Sequence, residues 1–142
     1  MKLPLRRAAP AVAARDRRNS AATVAPGARV LIVDDDRFAR LGIRVALESL
    51  GCETRELDGR SALEPVLRSF DPEVVFLDQQ LEDTHGLVLA RRIREHDQQL
   101  GRTRRSVVII SGSSQAHSAD ATIDTWLVKP ASRQALARIL AA

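Results

Sequence analysis

The sequence predicts an α/β fold, (βα)5, built on a doubly wound parallel sheet. Three observations predict it. Residues 30–33, 74–77, 107–110 and 126–128 are short, almost purely apolar runs, the pattern of strands buried on both faces. Each runs into residues able to do chemistry: Asp34-Asp35-Asp36, Asp78, Ser111 and Lys129-Pro130. The segments between carry apolar residues at helical spacing. The expected strand order is 2-1-3-4-5, with a switch point between strands one and three that sets Asp34 and Asp35 beside Asp78.

In chain order, residues 29–33 form the first strand, and Asp36 can cap a helix over residues 37–50. Gly51 follows it as a natural C′ residue. Residues 52–57 are more polar and suit an edge strand. The second helix is expected to start late, because Ser61 and Glu64 have capping-box spacing and this start puts Pro65 in the first turn. Asp71-Pro72 is a turn, and residues 73–77 are the third strand. His85-Gly86 leads into a helix with Leu87, Leu89, Ala90 and Ile93 on one side and Arg91, Arg92 and Glu95 on the other. Residues 97–105 read as a polar loop around Gly101, and residues 106–110 as the fourth strand. Residues 111–124 leave room only for a short fourth helix. Residues 125–128 are the fifth strand. Ser132 can cap a last helix with Leu136, Ile139 and Leu140 on one face.

The chain of 142 residues suits one core-bearing domain over residues 28–142. Residues 1–27 read as a disordered Ala/Arg/Pro tail. That tail holds six bases and one acid, whereas the body holds sixteen bases and seventeen acids. A near-neutral body argues against a nucleic-acid-binding face. No apolar stretch approaches the ~20 residues of a membrane span. The single Cys52 suits a reducing compartment, so a cytoplasmic location is expected. Lys129 is the only lysine in a body otherwise served by arginine. A compact ammonium suits a phosphoryl contact that forms and breaks. His85, His96 and His117 lack metal-ligand spacing and read as solvated loop residues, and Arg102, Arg104 and Arg105 as a solvated charge run. Three carboxylates, a hydroxyl and a lysine at strand ends therefore read as a site for a metal and a phosphoryl group.

Those pieces, Val-Leu-Ile-Val-Asp-Asp-Asp at 30–36, Val-Val-Phe-Leu-Asp at 74–78, Gly86-Leu87, Val-Ile-Ile-Ser-Gly at 108–112 and Leu-Val-Lys-Pro at 127–130, resemble the receiver domain of bacterial two-component response regulators. The resemblance covers residues 29–141 and implies a flavodoxin-like fold of the CheY type. It implies that Asp78 accepts a phosphoryl group from a phosphohistidine on a sensor histidine kinase or a histidine phosphotransfer protein. It also implies Mg²⁺ held by Asp34, Asp35, Asp78 and the backbone carbonyl of Gln80. Ser111 and Lys129 would contact phosphoryl oxygens, with Gly112 leaving room for the group. Ser111 and Trp126 would form the switch that changes contacts with a downstream protein.

Departures from the pattern carry expectations of their own. Leu81-Glu82 replaces the common Met-Pro, which suggests a less rigid loop over the site. Ala131 replaces a frequent aromatic. Gln80 and Ser113 occupy positions that tune dephosphorylation in the family. The chain ends after the last helix, so a stand-alone phosphoacceptor is expected rather than an enzyme acting on free substrates, with a homodimer left open. Two other readings stand beside this one. A pseudo-receiver would bind partners without phosphorylation, and a hydrolase would use Asp34 and Asp36 as an Asp-x-Asp pair. The hydrolase reading lacks the Thr and the larger body that class requires.

Overall fold

The computed structural model describes residues 27–102, 104–112 and 120–141. The expected tail, apart from Gly27, and most of the expected fourth helix lie outside the described residues. The apolar runs pair as five parallel strands: β1 (Arg29–Val33), β2 (Glu53–Leu57), β3 (Val74–Asp78), β4 (Ser106–Ser111) and β5 (Thr125–Val128), in the order β2-β1-β3-β4-β5. Four helices are described: α1 (Arg37–Ser49), α2 (Leu63–Ser69), α3 (Gly86–Gln99) and α4 (Arg133–Ala141).

Strand pleat divides the core in two. Leu31, Val33, Val75, Leu77, Val107 and Ile109 face α2 and α3, meeting Leu63, Leu67, Leu89 and Ile93. Val30, Ile32, Phe76, Val108 and Ile110 face α1 and α4, meeting Ile43, Leu47 and Leu136. Both faces of β1, β3 and β4 are thus covered, which is why their sequences are unbroken apolar runs. The polar β2 lies at the edge, as expected.

Helix ends follow their capping chemistry. The Asp36 carboxylate accepts from the Phe38 and Ala39 amides and starts α1. Gly51, at φ 90°, ends it: the Gly51 and Cys52 amides donate to Glu48 O and Leu47 O in a Schellman arrangement. Ser132 Oγ accepts from Ala135 N at 3.1 Å and caps α4.

Three expectations are corrected. Ser61 does not cap α2, whose N-cap is Ala62 without a side-chain bond. Ser61 instead donates to Asp58, and Glu64 pairs with Arg92 at 2.8 Å, so both box residues have other partners. Pro65 does lie in the first turn. Secondly, the loop expected over 97–105 begins later. The helix continues to Gln99, and Arg102 N bonds back to Asp97 O across Gly101. Thirdly, His96 and Arg105 are buried, not solvated. Arg105 bonds Asp97 through Nε at 2.7 Å and Nη2 at 2.8 Å, and gives Nη1 to Pro72 O. His96 Nδ1 lies 3.2 Å from the same carboxylate. Burial alone would raise the Asp97 carboxyl, but the Arg105 and His96 hydrogen bonds outweigh it and hold the group below the ordinary carboxylate range.

Candidate phosphoacceptor site

The site forms where β1 and β3 end side by side, Val33 being in register with Leu77. The next residues are Asp34 and Asp78, 1% and 7% exposed, with the exposed Asp35 beside them. Asp34, Asp35 and Asp78 each offer an oxygen, and these lie within 4.8 Å of one another. Lys129, at the end of β5, reaches in with Nζ 3.2 Å from Asp78 Oδ1 and 3.7 Å from Asp34 Oδ2. Its backbone N–H donates to Ser111 O at 2.7 Å, which ties the ends of β4 and β5 together.

The electrostatics follow from that crowding. Burial, with the charge of Asp78 added, pushes the Asp34 carboxyl up to about 6, against the Asp36 amide bonded at 2.8 Å and the Lys129 charge. Burial works against the Lys129 charge, but Asp34 and Asp78 hold the ammonium above its ordinary value. Among the described residues Asp34 Oδ2 is buried without a hydrogen-bond partner, and 3.7 Å is too long for Lys129 to supply one. An unsatisfied buried carboxylate oxygen facing two more carboxylates fits a hard divalent cation, which takes oxygen donors only.

The other predicted residues are placed as follows. Ser111 is buried at the end of β4, and its hydroxyl donates to Gln79 Oε1 at 2.8 Å. A Cβ added to Gly112 would meet no atom of the described residues within 4 Å. Gln80 sits opposite His85 in an isolated bridge, whose bonds run through its neighbours: Leu81 N to Thr84 O and Gly86 N to Gln79 O. Trp126 is half-buried against the α2/α3 side of the core, in register with Ile109. It therefore shares a sheet face with Ser111, one pleat lower.

The loop after Asp78, expected from Leu81-Glu82 to be less rigid, makes two sets of contacts. Leu81 is buried, and Gly59, at φ 93°, leaves the space it fills; a Cβ there would lie 3.2 Å from Leu81. Arg60, in the connection after β2, forms exposed ion pairs with Glu82 and Asp83. Leucine at 81 thus supplies an apolar anchor, and Glu82 an ionic one.

Three features escaped sequence reasoning. Gln79 holds the Ser111 hydroxyl, which only the register of β3 on β4 reveals. Gly86 has a steric reason: a Cβ there would lie 2.5 Å from the Asp78 carbonyl oxygen. Its position eight residues after Asp78 was visible, but the contact was not. Finally, Phe38, Leu41 and Val45 form an exposed apolar stripe on α1, beginning two residues after the acids, with Phe38 80% exposed.

Comparison with known proteins agrees with this geometry. The family model described as "Response regulator receiver domain" matches residues 30–141. A CheY-like receiver domain structure from Methylobacillus flagellatus superimposes with a TM-score of 0.69 at 28% identity, covering 82% of this chain and 97% of that one. The response regulator MprA of Mycolicibacterium vanbaalenii is 35% identical over 119 residues, which are 80% of this chain and 49% of that protein. The hybrid signal transduction histidine kinase L of Dictyostelium discoideum is 28% identical over 119 residues, 79% of this chain and 7% of that protein. The chain thus spans less than half the length of these two relatives. With the carboxylates, the lysine, the strand order and the family match in agreement, the chain belongs to the response regulator receiver domain family.

Proposed function

We propose that residues 28–142 act as a phosphoacceptor receiver in a two-component system or phosphorelay, with Asp78 as the phosphorylated residue and residues 1–27 as a basic tail. One observation carries the reading: three carboxylates each bring an oxygen within 4.8 Å of the others, with a lysine 3.2 Å from Asp78. So concentrated a negative charge costs stability and is retained where charge is to be handled.

In the proposed reaction a carboxylate oxygen of Asp78 attacks the phosphorus of a phosphohistidine. The P–N bond breaks, the imidazole leaves with the bonding pair, and an acyl phosphate forms on Asp78. Asp34, Asp35, Asp78 and the Gln80 carbonyl would hold Mg²⁺, which supplies neutralisation of charge on the phosphoryl oxygens. Lys129 leaves its contact with Asp78 for a phosphoryl oxygen, and Ser111 donates to another. Such transfer depends on positioning and charge stabilisation, so fixed residues at strand ends suffice. The partner is a histidine kinase or phosphotransfer protein, whose surface would cover Phe38, Leu41 and Val45 beside the acids. Trp126 and Ser111 then alter contacts with a downstream protein. Among the described residues no helix is long and apolar enough to cross a membrane; a buried free Cys52 supports a cytoplasmic setting.

Labelled acetyl phosphate with Mg²⁺ tests the reading. Label on the wild type, lost in Asp78→Asn, is expected. Label that persists in Asp78→Asn contradicts the assignment, and a wild type that takes none indicates the pseudo-receiver.

A further inference from the structure

We propose that Gln79 is a positioning residue that holds the Ser111 hydroxyl in the phosphate-free protein and releases it when Asp78 is loaded. This rests on the phosphoacceptor reading above and adds to it a residue that the motifs do not assign.

The inference starts from backbone register. Gln79 N donates to Ile110 O at 2.8 Å, and Gln79 O accepts from Gly86 N at 2.9 Å. Gln79 is thus fixed on both sides, alongside the end of β4. Side chains alternate along a strand. Leu77 lies on the α2/α3 face, so Gln79 follows it there, while Asp78 points the other way. On β4, Val107 and Ile109 lie on that same face, and Ser111 continues the series. The two side chains meet as neighbours on one face, and Ser111 Oγ donates to Gln79 Oε1 at 2.8 Å.

A serine hydroxyl carries one hydrogen. While that hydrogen is committed to Gln79, it is not available to a phosphoryl oxygen on Asp78. Loading the site must break one bond to make another. Ser111 is buried, so water does not readily replace its partner, whereas Gln79 is only partly buried and its amide can turn to solvent. The asymmetry suits a latch: release costs Gln79 little, and the Ser111 hydrogen passes from Gln79 to a phosphoryl oxygen. Gln79 therefore sets how strongly the unloaded state is favoured, without touching the phosphoryl group.

The test is a double-mutant cycle read by calorimetric titration with beryllofluoride, a phosphoryl mimic, in the presence of Mg²⁺. Gln79→Ala removes the acceptor, and Gln79→Leu removes it while keeping bulk. Both are expected to bind beryllofluoride about 3- to 10-fold more tightly than the wild type, the scale of one neutral hydrogen bond. In a Ser111→Ala background the same substitutions are expected to change nothing. Unchanged or weaker binding in both Gln79 variants overturns the latch. So does equal tightening with and without Ser111, because the effect would then not pass through that hydroxyl. A wild type that binds no beryllofluoride defeats the phosphoacceptor reading itself, and the latch with it. A wild type that binds, with Gln79 variants that do not differ from it, defeats only the latch.

Discussion

At the amino end of the sheet, Asp97 and Arg105 are buried and joined by two hydrogen bonds, with Asp71, Arg102 and Arg29 paired around them. At the carboxyl end, Asp34 and Asp78 are buried about as deeply but share one partly exposed lysine. Both ends bring charge into the fold. The first neutralises it with arginine forks and carbonyl acceptors, so its charges are structural. The second leaves a surplus of carboxylate and an unsatisfied Asp34 oxygen. The difference teaches how to separate scaffold from site in this fold: by whether a buried charge is matched.

The largest expected effect is at the matched end. Asp97→Ala removes both carboxylate bonds of the buried Arg105, leaving it Pro72 O and the longer 3.6 Å contact with Asp71, and should destabilise the protein by about 3 kcal/mol in urea unfolding. A loss below ~1 kcal/mol would mean that the arginine finds other partners and that the pair is not structural. At the site end, Gly86→Ala should cost about 1–3 kcal/mol, because its Cβ must displace the Asp78 carbonyl. The same variant should slow labelling by acetyl phosphate. A stabilised Gly86→Ala protein, as helix propensity alone would give, would break that account.

The two ends also respond to pH with opposite sign. The Asp97 and Asp124 carboxyls are held low, against the burial that would raise them, by Arg105 and His96 and by the Val107 amide with Arg104 and Arg94. Their contribution is complete above the unfolded value near ~4 and is lost as pH falls through the folded values. Asp34 is pushed up to about 6, so between ~4 and 6 the native state binds more protons there than the unfolded state, and stability falls as pH rises. Metal-free protein should therefore be most stable at pH ~4, decline toward pH 6 and level off above it, as measured by urea midpoints across pH. A monotonic rise to pH 8 would show that Asp34 is not a cost.

The smallest stability effect belongs to α1. Phe38→Ala with Leu41→Ala should change stability by no more than about 0.5 kcal/mol, since both side chains are exposed. Transfer from a protein phosphodonor should slow about tenfold while labelling by acetyl phosphate is unchanged. Equal slowing with both donors would place the effect in the site instead.

These regions differ in how well the sequence announced them. The strands were legible because burial on both faces enforces unbroken apolar runs, and the site was legible because its acids and Lys129 stop those runs abruptly. The amino-end network was misread as solvated loop. Asp97 and Arg105 are charged, and nothing in a linear reading says that a turn at Gly101 folds one onto the other. The Ser61–Glu64 capping signal failed for a related reason, since Asp58 and Arg92 competed for its members. Gln79 was invisible because its role depends on strand register, which sequence periodicity constrains only modulo two.

The most direct test of the contrast is the urea midpoint of wild type and Asp34→Asn, with and without Mg²⁺. Asparagine keeps the oxygen that accepts from the Asp36 amide and removes the buried charge. The account predicts that metal-free Asp34→Asn is more stable than wild type at pH 7 by about 1–3 kcal/mol. It also predicts that Mg²⁺ raises the wild-type midpoint by mass action while moving the variant much less. A destabilised variant, together with a wild type indifferent to Mg²⁺, would show that the carboxyl-end acids are as fully matched as those at the amino end, and would contradict the account.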